Sequence, residues 1–187
     1  MSTKRKIMGL VLAFGVLAPA VLVLSSCKTP SDAEVKGSME ILDIDTKWVA
    51  KEYSQWPRPK LTLVPTVSFK IKNVSSEPLR FVNFNAIFKE RDAVENLGDN
   101  FLAAIRQEAV PPGGLSPVIT LKSNFGVEGR NLDDFKNNPQ WRTYFVKIYA
   151  QFKGSRLVLV GEWPVSRTID FKADQPVHMG GEKKEKK

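Results

Sequence analysis

The chain is short of the residues on which small metalloproteins and thiol enzymes depend: among 187 residues there is one cysteine, Cys27, and one histidine, His178. A disulfide needs two thiols and a structural zinc site needs several Cys or His ligands, so neither framework is available. There is no Gly-rich phosphate loop, no Gly-x-Ser-x-Gly elbow and no His-Glu-x-x-His pair. Strong charge of one sign is also missing, with 28 Lys plus Arg against 20 Asp plus Glu. No basic helix or aromatic platform accompanies that modest excess, so a nucleic-acid partner is not expected. What is present is a globular balance, 42% apolar and 26% charged, over a length that suits one domain with appendages.

The N-terminus carries the most specific pattern. Lys4, Arg5 and Lys6 precede an uncharged apolar run over residues 7–24, and the run closes on Leu24-Ser25-Ser26-Cys27. A positive start, an apolar stretch and small residues at its end make a secretory leader. The alternative is an uncut spanning helix, which Gly15 and Pro19 oppose. Leu-Ser-Ser-Cys resembles the lipobox of bacterial lipoproteins. That resemblance implies cleavage before Cys27, a diacylglycerol on the Cys27 thiol and in many bacteria a further acyl chain on the new amine, with no other cofactor. It also implies membrane attachment through the lipid. Lys28 stands where this family carries aspartate for retention in the inner membrane, so the implied location is the outer membrane, on its periplasmic face.

Loss of residues 1–26 removes three cations and no anion, leaving 25 against 20. Four of the remaining lysines, Lys183, Lys184, Lys186 and Lys187, lie in an end segment with nothing apolar to bury. The expected organisation is a leader at 1–26, a linker at 27–38 that reaches on the order of 35 Å when extended, a folded domain at 39–172 and a solvated tail at 173–187.

The folded domain reads as strands. Val67, Phe69 and Ile71 alternate with polar residues, as do Val82, Phe84, Ala86 and Phe88. Tyr144, Val146, Ile148, Ala150 and Phe152 form a third run whose second face is also partly apolar, which places it centrally. Lys153-Gly154-Ser155-Arg156 predicts a hairpin with a two-residue Gly-Ser loop leading to Leu157, Leu159 and Trp163. Further strands are expected at 39–48, 100–106, 118–125 and 165–171, and one helical turn at 132–136 with Asn131 as its cap. Seven or eight antiparallel strands in one domain indicate an all-β, immunoglobulin-like sandwich. Phe69, Ile71, Phe84, Phe88, Val146, Ile148, Leu157 and Leu159 are the expected core.

The order of features from Val67 through Asn73-Val74-Ser75-Ser76-Glu77-Pro78 to Val110-Pro111-Pro112-Gly113-Gly114 resembles FxLYD-type immunoglobulin-like domains of bacterial surface proteins, over about residues 61–128. The resemblance implies the sandwich, with Asn73 and the serines closing a turn and the Pro-Gly turn carrying the chain between sheets.

For chemistry the sequence offers little. His178 has no partner type in register, Ser25 and Lys28 meet a Ser-x-x-Lys spacing by chance since Ser25 leaves with the leader, and Asp43 and Asp45 lack a third oxygen donor and read as solvent-facing. Catalysis is not expected, nor a metal. The aromatic and basic stretch Trp48, Tyr53, Trp56, Arg58 is the candidate ligand-binding segment, since rings supply contact area at small entropic cost. Trp48 and Trp56 equally suit a plug at the end of the sandwich. Three roles stay open: a lipid-anchored interaction module with an envelope protein partner, a structural protein of envelope assembly, and a glycan-binding lipoprotein.

Overall fold

The computed structural model of the chain describes residues 29–136, 138 and 141–172. Cys27, His178 and the C-terminal lysines lie outside the described residues. The element order is α1 (Asp32–Gly37), β1 (Met39–Ser54), β2 (Lys60–Asn73), β3 (Val82–Glu90), β4 (Gly98–Ile105), β5 (Ile119–Lys122), β6 (Val127–Gly129), α2 (Asp133–Lys136), β7 (Tyr144–Gln151), β8 (Val158–Pro164) and β9 (Ile169–Asp170).

Two sheets face each other, as the alternating runs require. One has the order β5-β2-β1-β9 with β6 also on β2; the other runs β4-β3-β7-β8. Every pairing is antiparallel except the two-residue parallel contact of β1 with β9. The inward alternate residues Phe69, Ile71, Phe84, Ala86, Phe88, Val146, Ile148 and Ala150 are buried, and Phe69 meets Phe84 edge-to-face with ring centroids 5.2 Å apart. Burying a side chain of this size fully contributes roughly 1.5–3 kcal/mol. The strand β7, expected to be central, lies between β3 and β8.

The β2 strand is buried on both faces from Leu61 to Val67. Lys122 on β5 donates to the Ala50 carbonyl of β1, and Lys51 on β1 donates to the Asn124 carbonyl beyond β5. Since β2 lies between those strands, both side chains reach across it. Burial, then the nearby Lys51 charge, lowers the pKa of Lys122.

Asn73 ends β2 and organises two turns. Its Nδ2 donates to the Glu77 carbonyl at 2.8 Å and the Val110 carbonyl at 2.9 Å, while its Oδ1 accepts from the Ser75 amide at 2.9 Å and hydroxyl at 2.7 Å. Its backbone accepts from Gly113 and donates to Gly114, so the Pro-Gly turn is fastened to it as the chain passes from β4 in one sheet to β5 in the other. Asn131 caps α2, its Oδ1 accepting from the amides of Asp133 and Asp134.

Three expectations are corrected. Residues 31–38 are not linker: Ser31 and Glu34 form a reciprocal capping box that starts α1, and Val35 is fully buried against the sandwich. A second correction concerns β8, where Leu157 and Leu159 are 41% and 37% exposed and Val158 is buried instead. Pairing with β7 shifts between Ile148 and Tyr149, leaving Val160 as an extra residue; this bulge puts Val158 inward and displaces the simple alternation. Finally, the turn between β7 and β8 has Lys153-Gly154 at its centre, closed by Ser155 donating to the Phe152 carbonyl. Gly154 adopts φ 84°, which explains the glycine, but the loop sits one residue earlier than Gly-Ser.

Candidate functional site

The four aromatic and basic residues of the candidate segment go to different places. Trp48 is 1% exposed and packs edge-to-face on Trp141 and Tyr144, with centroids 5.1 and 5.2 Å away. It is core, and is corrected as a ligand contact. Tyr53 is half-buried, set edge-to-face on Phe171 at 5.1 Å, and its hydroxyl accepts from Gln55 Nε2 at 2.6 Å. Trp56 is 84% exposed and Arg58 is exposed beside it. Of the two tryptophans, Trp48 is therefore the plug and Trp56 the exposed one.

The sheets place these residues relative to the rest. Tyr144 is the first residue of β7, and its ring rests on Trp48, so the second sheet ends at that level. Beyond Trp48 the β1–β2 hairpin continues from Val49 to Ser54, roughly 20 Å at the rise of a strand. The overhang is braced from its sides: Leu61, Thr62 and Leu63 pair with β6, Lys60 bridges Glu52 at 3.1 Å and Glu128 at 3.0 Å, Val49 pairs with Asp170 of β9, and Lys122 and Lys51 tie Ala50 and Asn124 across β2. At the tip the Ser54 hydroxyl donates to the Trp56 carbonyl at 2.8 Å, and the Trp56–Pro57 bond is cis. The tip is thus a short, braced projection carrying one bare indole and one guanidinium.

A cleft of about 220 Å³ lies at the same end, lined among others by Glu90, Glu128, Asp134, Trp141, Arg142 and Tyr144. Each of its carboxylates has a cation. Arg142 donates to Glu90 at 2.5 Å, Lys60 meets Glu128, and Arg130 grips Asp134 with two hydrogen bonds of 3.1 Å. Arg130 holds the Asp134 carboxyl below its ordinary range, while burial, then Glu90, pushes the Tyr144 phenol up. Trp141 and Arg142 went unremarked in the sequence because they fall between the helical turn and β7, in no period. A Trp-Arg pair at the mouth of a strand was the available signal. Asp43 and Asp45 are exposed at a bulge of β1, and Asp43 pairs with Lys70 at 3.0 Å.

No known protein family and no curated protein matches the chain. Among solved structures, the chain is similar to the structural-genomics target SoR45, at 8% identity and a TM-score of 0.41 over 71% of this chain and 89% of that one. It is also similar to the putative ApaA protein of Bordetella pertussis, at 12% identity and a TM-score of 0.38 over 69% and 93%. A family 2 β-glucuronidase aligns at 14% identity and a TM-score of 0.37, the chain covering 10% of that enzyme. Function is therefore argued from the site.

Proposed function

We propose that the protein is a lipid-anchored, extracytoplasmic binding module of the bacterial cell envelope, not an enzyme, that engages a protein partner through the tip of the β1–β2 hairpin. The observation that carries this reading is Trp56, 84% exposed on a hairpin overhanging the second sheet, at the end of β1 opposite to the point where the chain enters the domain. A single exposed tryptophan flanked by an arginine is the composition of an interface hot spot. The lipobox supplies the tether: acyl chains add about 0.8 kcal/mol per buried CH₂, so two or three hold a domain that one would hold marginally. β1 spans 16 residues, about 50 Å, which carries the tip well away from the anchored end.

The protein partner is favoured over a glycan by shape. Sugar sites are concave, and the tip is convex; the neighbouring cleft has its three carboxylates already committed to cations. The same pairing leaves none of them free as a general base.

A photocrosslinking residue at position 55 of the anchored protein tests the reading. One discrete protein adduct that is lost in Trp56→Ala is the expected result. A glycan adduct selects the carbohydrate alternative, and adducts indifferent to Trp56 overturn the contact.

A further inference from the structure

We infer that the α1 end of the sandwich is a membrane-facing surface that sits on the lipid headgroup layer; this rests on the lipid-anchor reading above. The argument starts from tether length. Because α1 is docked, Pro30 lies only three residue steps from Cys27, and three steps span at most about 10 Å. The polar layer on each side of a bilayer is of comparable depth, roughly 5–8 Å. An acylated Cys27 therefore holds Pro30 at the headgroup level, and the surface around Pro30 must meet lipid.

That surface is built for the encounter. Pro30 lines a groove of about 690 Å³ together with Pro78, Leu79, Arg80, Phe152 and Lys153. Next to it Val74 and Phe81 are each about half exposed. Phe81 is held at φ 54°, a left-handed backbone that a bulky residue seldom adopts, and strain of this kind gathers where a side chain is aimed for use. Lys153 Nζ lies 5.8 Å from its ring centroid, an aromatic and a cation side by side as at membrane interfaces. Three carboxylates lie near: Asp32 is bonded to Arg156, Glu34 caps its own helix through Ser31, and the exposed Glu77 lines the groove beside Arg80; neither Arg80 nor Lys153 is ion-paired to a carboxylate among the described residues. Two cations beside two exposed apolar side chains match lipid phosphates above an acyl boundary.

The test uses the mature lipidated protein in phosphatidylglycerol vesicles carrying a nitroxide headgroup quencher. The chain has no second cysteine and Cys27 is consumed by its lipid, so Val74→Cys and Gln55→Cys each give one labelling site. A fluorophore at 74 should be quenched and one at 55 should not. Arg80→Ala and Lys153→Ala should each reduce the docked fraction about fivefold without altering flotation of the vesicles with protein. Equal quenching at both positions, or none at 74 in protein that floats, overturns the proposal. A quenched 74 label indifferent to both substitutions overturns the phosphate contact. Protein that does not float and whose N-terminal peptide lacks acyl mass overturns the anchor reading, and this one with it.

Discussion

Arg156 donates two hydrogen bonds to Asp32, 2.8 Å from Nε and 2.7 Å from Nη2, joining the turn before β8 to a helix 124 residues earlier in the chain. The hydrogen bond from Arg156 holds the Asp32 carboxyl below its ordinary value of 3.8. A depressed acid contributes while it is ionised, so the clamp is complete above the ordinary value and weakens as pH falls below it. Arg156→Ala should speed hydrogen exchange of the α1 amides at neutral pH, and the wild type should approach the variant only in acid. Equal protection in the two at neutral pH would show that Val35 alone docks the helix.

The two tryptophans of the candidate segment should separate cleanly. Trp48→Ala removes a buried ring from a cluster of three and should cost about 3–5 kcal/mol in denaturant unfolding. Trp56→Ala and Arg58→Ala should change stability by no more than about 0.5 kcal/mol while reducing recovery of the crosslinked partner. If the double variant unfolds, the tip is structural.

Asn73 should be among the most sensitive polar positions. Truncation to Ala leaves the buried Val110 carbonyl without its side-chain donor and frees the turn at Ser75, and should cost about 2–4 kcal/mol. Asn73→Asp should be at least as damaging, because a carboxylate would face the Glu77 and Val110 carbonyls that now accept from Nδ2. Thermal denaturation of the pair checks the order.

The bulge in β8 predicts a contrast between neighbours. Val158→Ala should cost on the order of 2 kcal/mol, and Leu159→Ser at most about 0.5 kcal/mol. Unbroken alternation from Leu157 requires the reverse order, so equilibrium unfolding of the two variants decides the register.

What the amino-acid sequence determined by itself is whatever depends on near neighbours. Alternation along Val82–Phe88 and 144–152 sets which residues face inward once a strand forms, because successive side chains point to opposite faces. The Asn131 cap and the need for glycine at position 154 are likewise local, each satisfied within a few residues. The helix α1 was written in the same way, as Ser31-x-x-Glu34, but its polar composition resembles a linker and its one buried side chain, Val35, has no local partner. Its docking was decided by the sandwich and by Arg156. The fates of Trp48 and Trp56 are tertiary for the same reason. Both are aromatic residues on one hairpin, and only the level at which the second sheet ends, at Tyr144, makes the first a buried ring and the second a bare one. The β8 register belongs here too, since a bulge is set by pairing across strands and leaves no trace in the alternation of a single one.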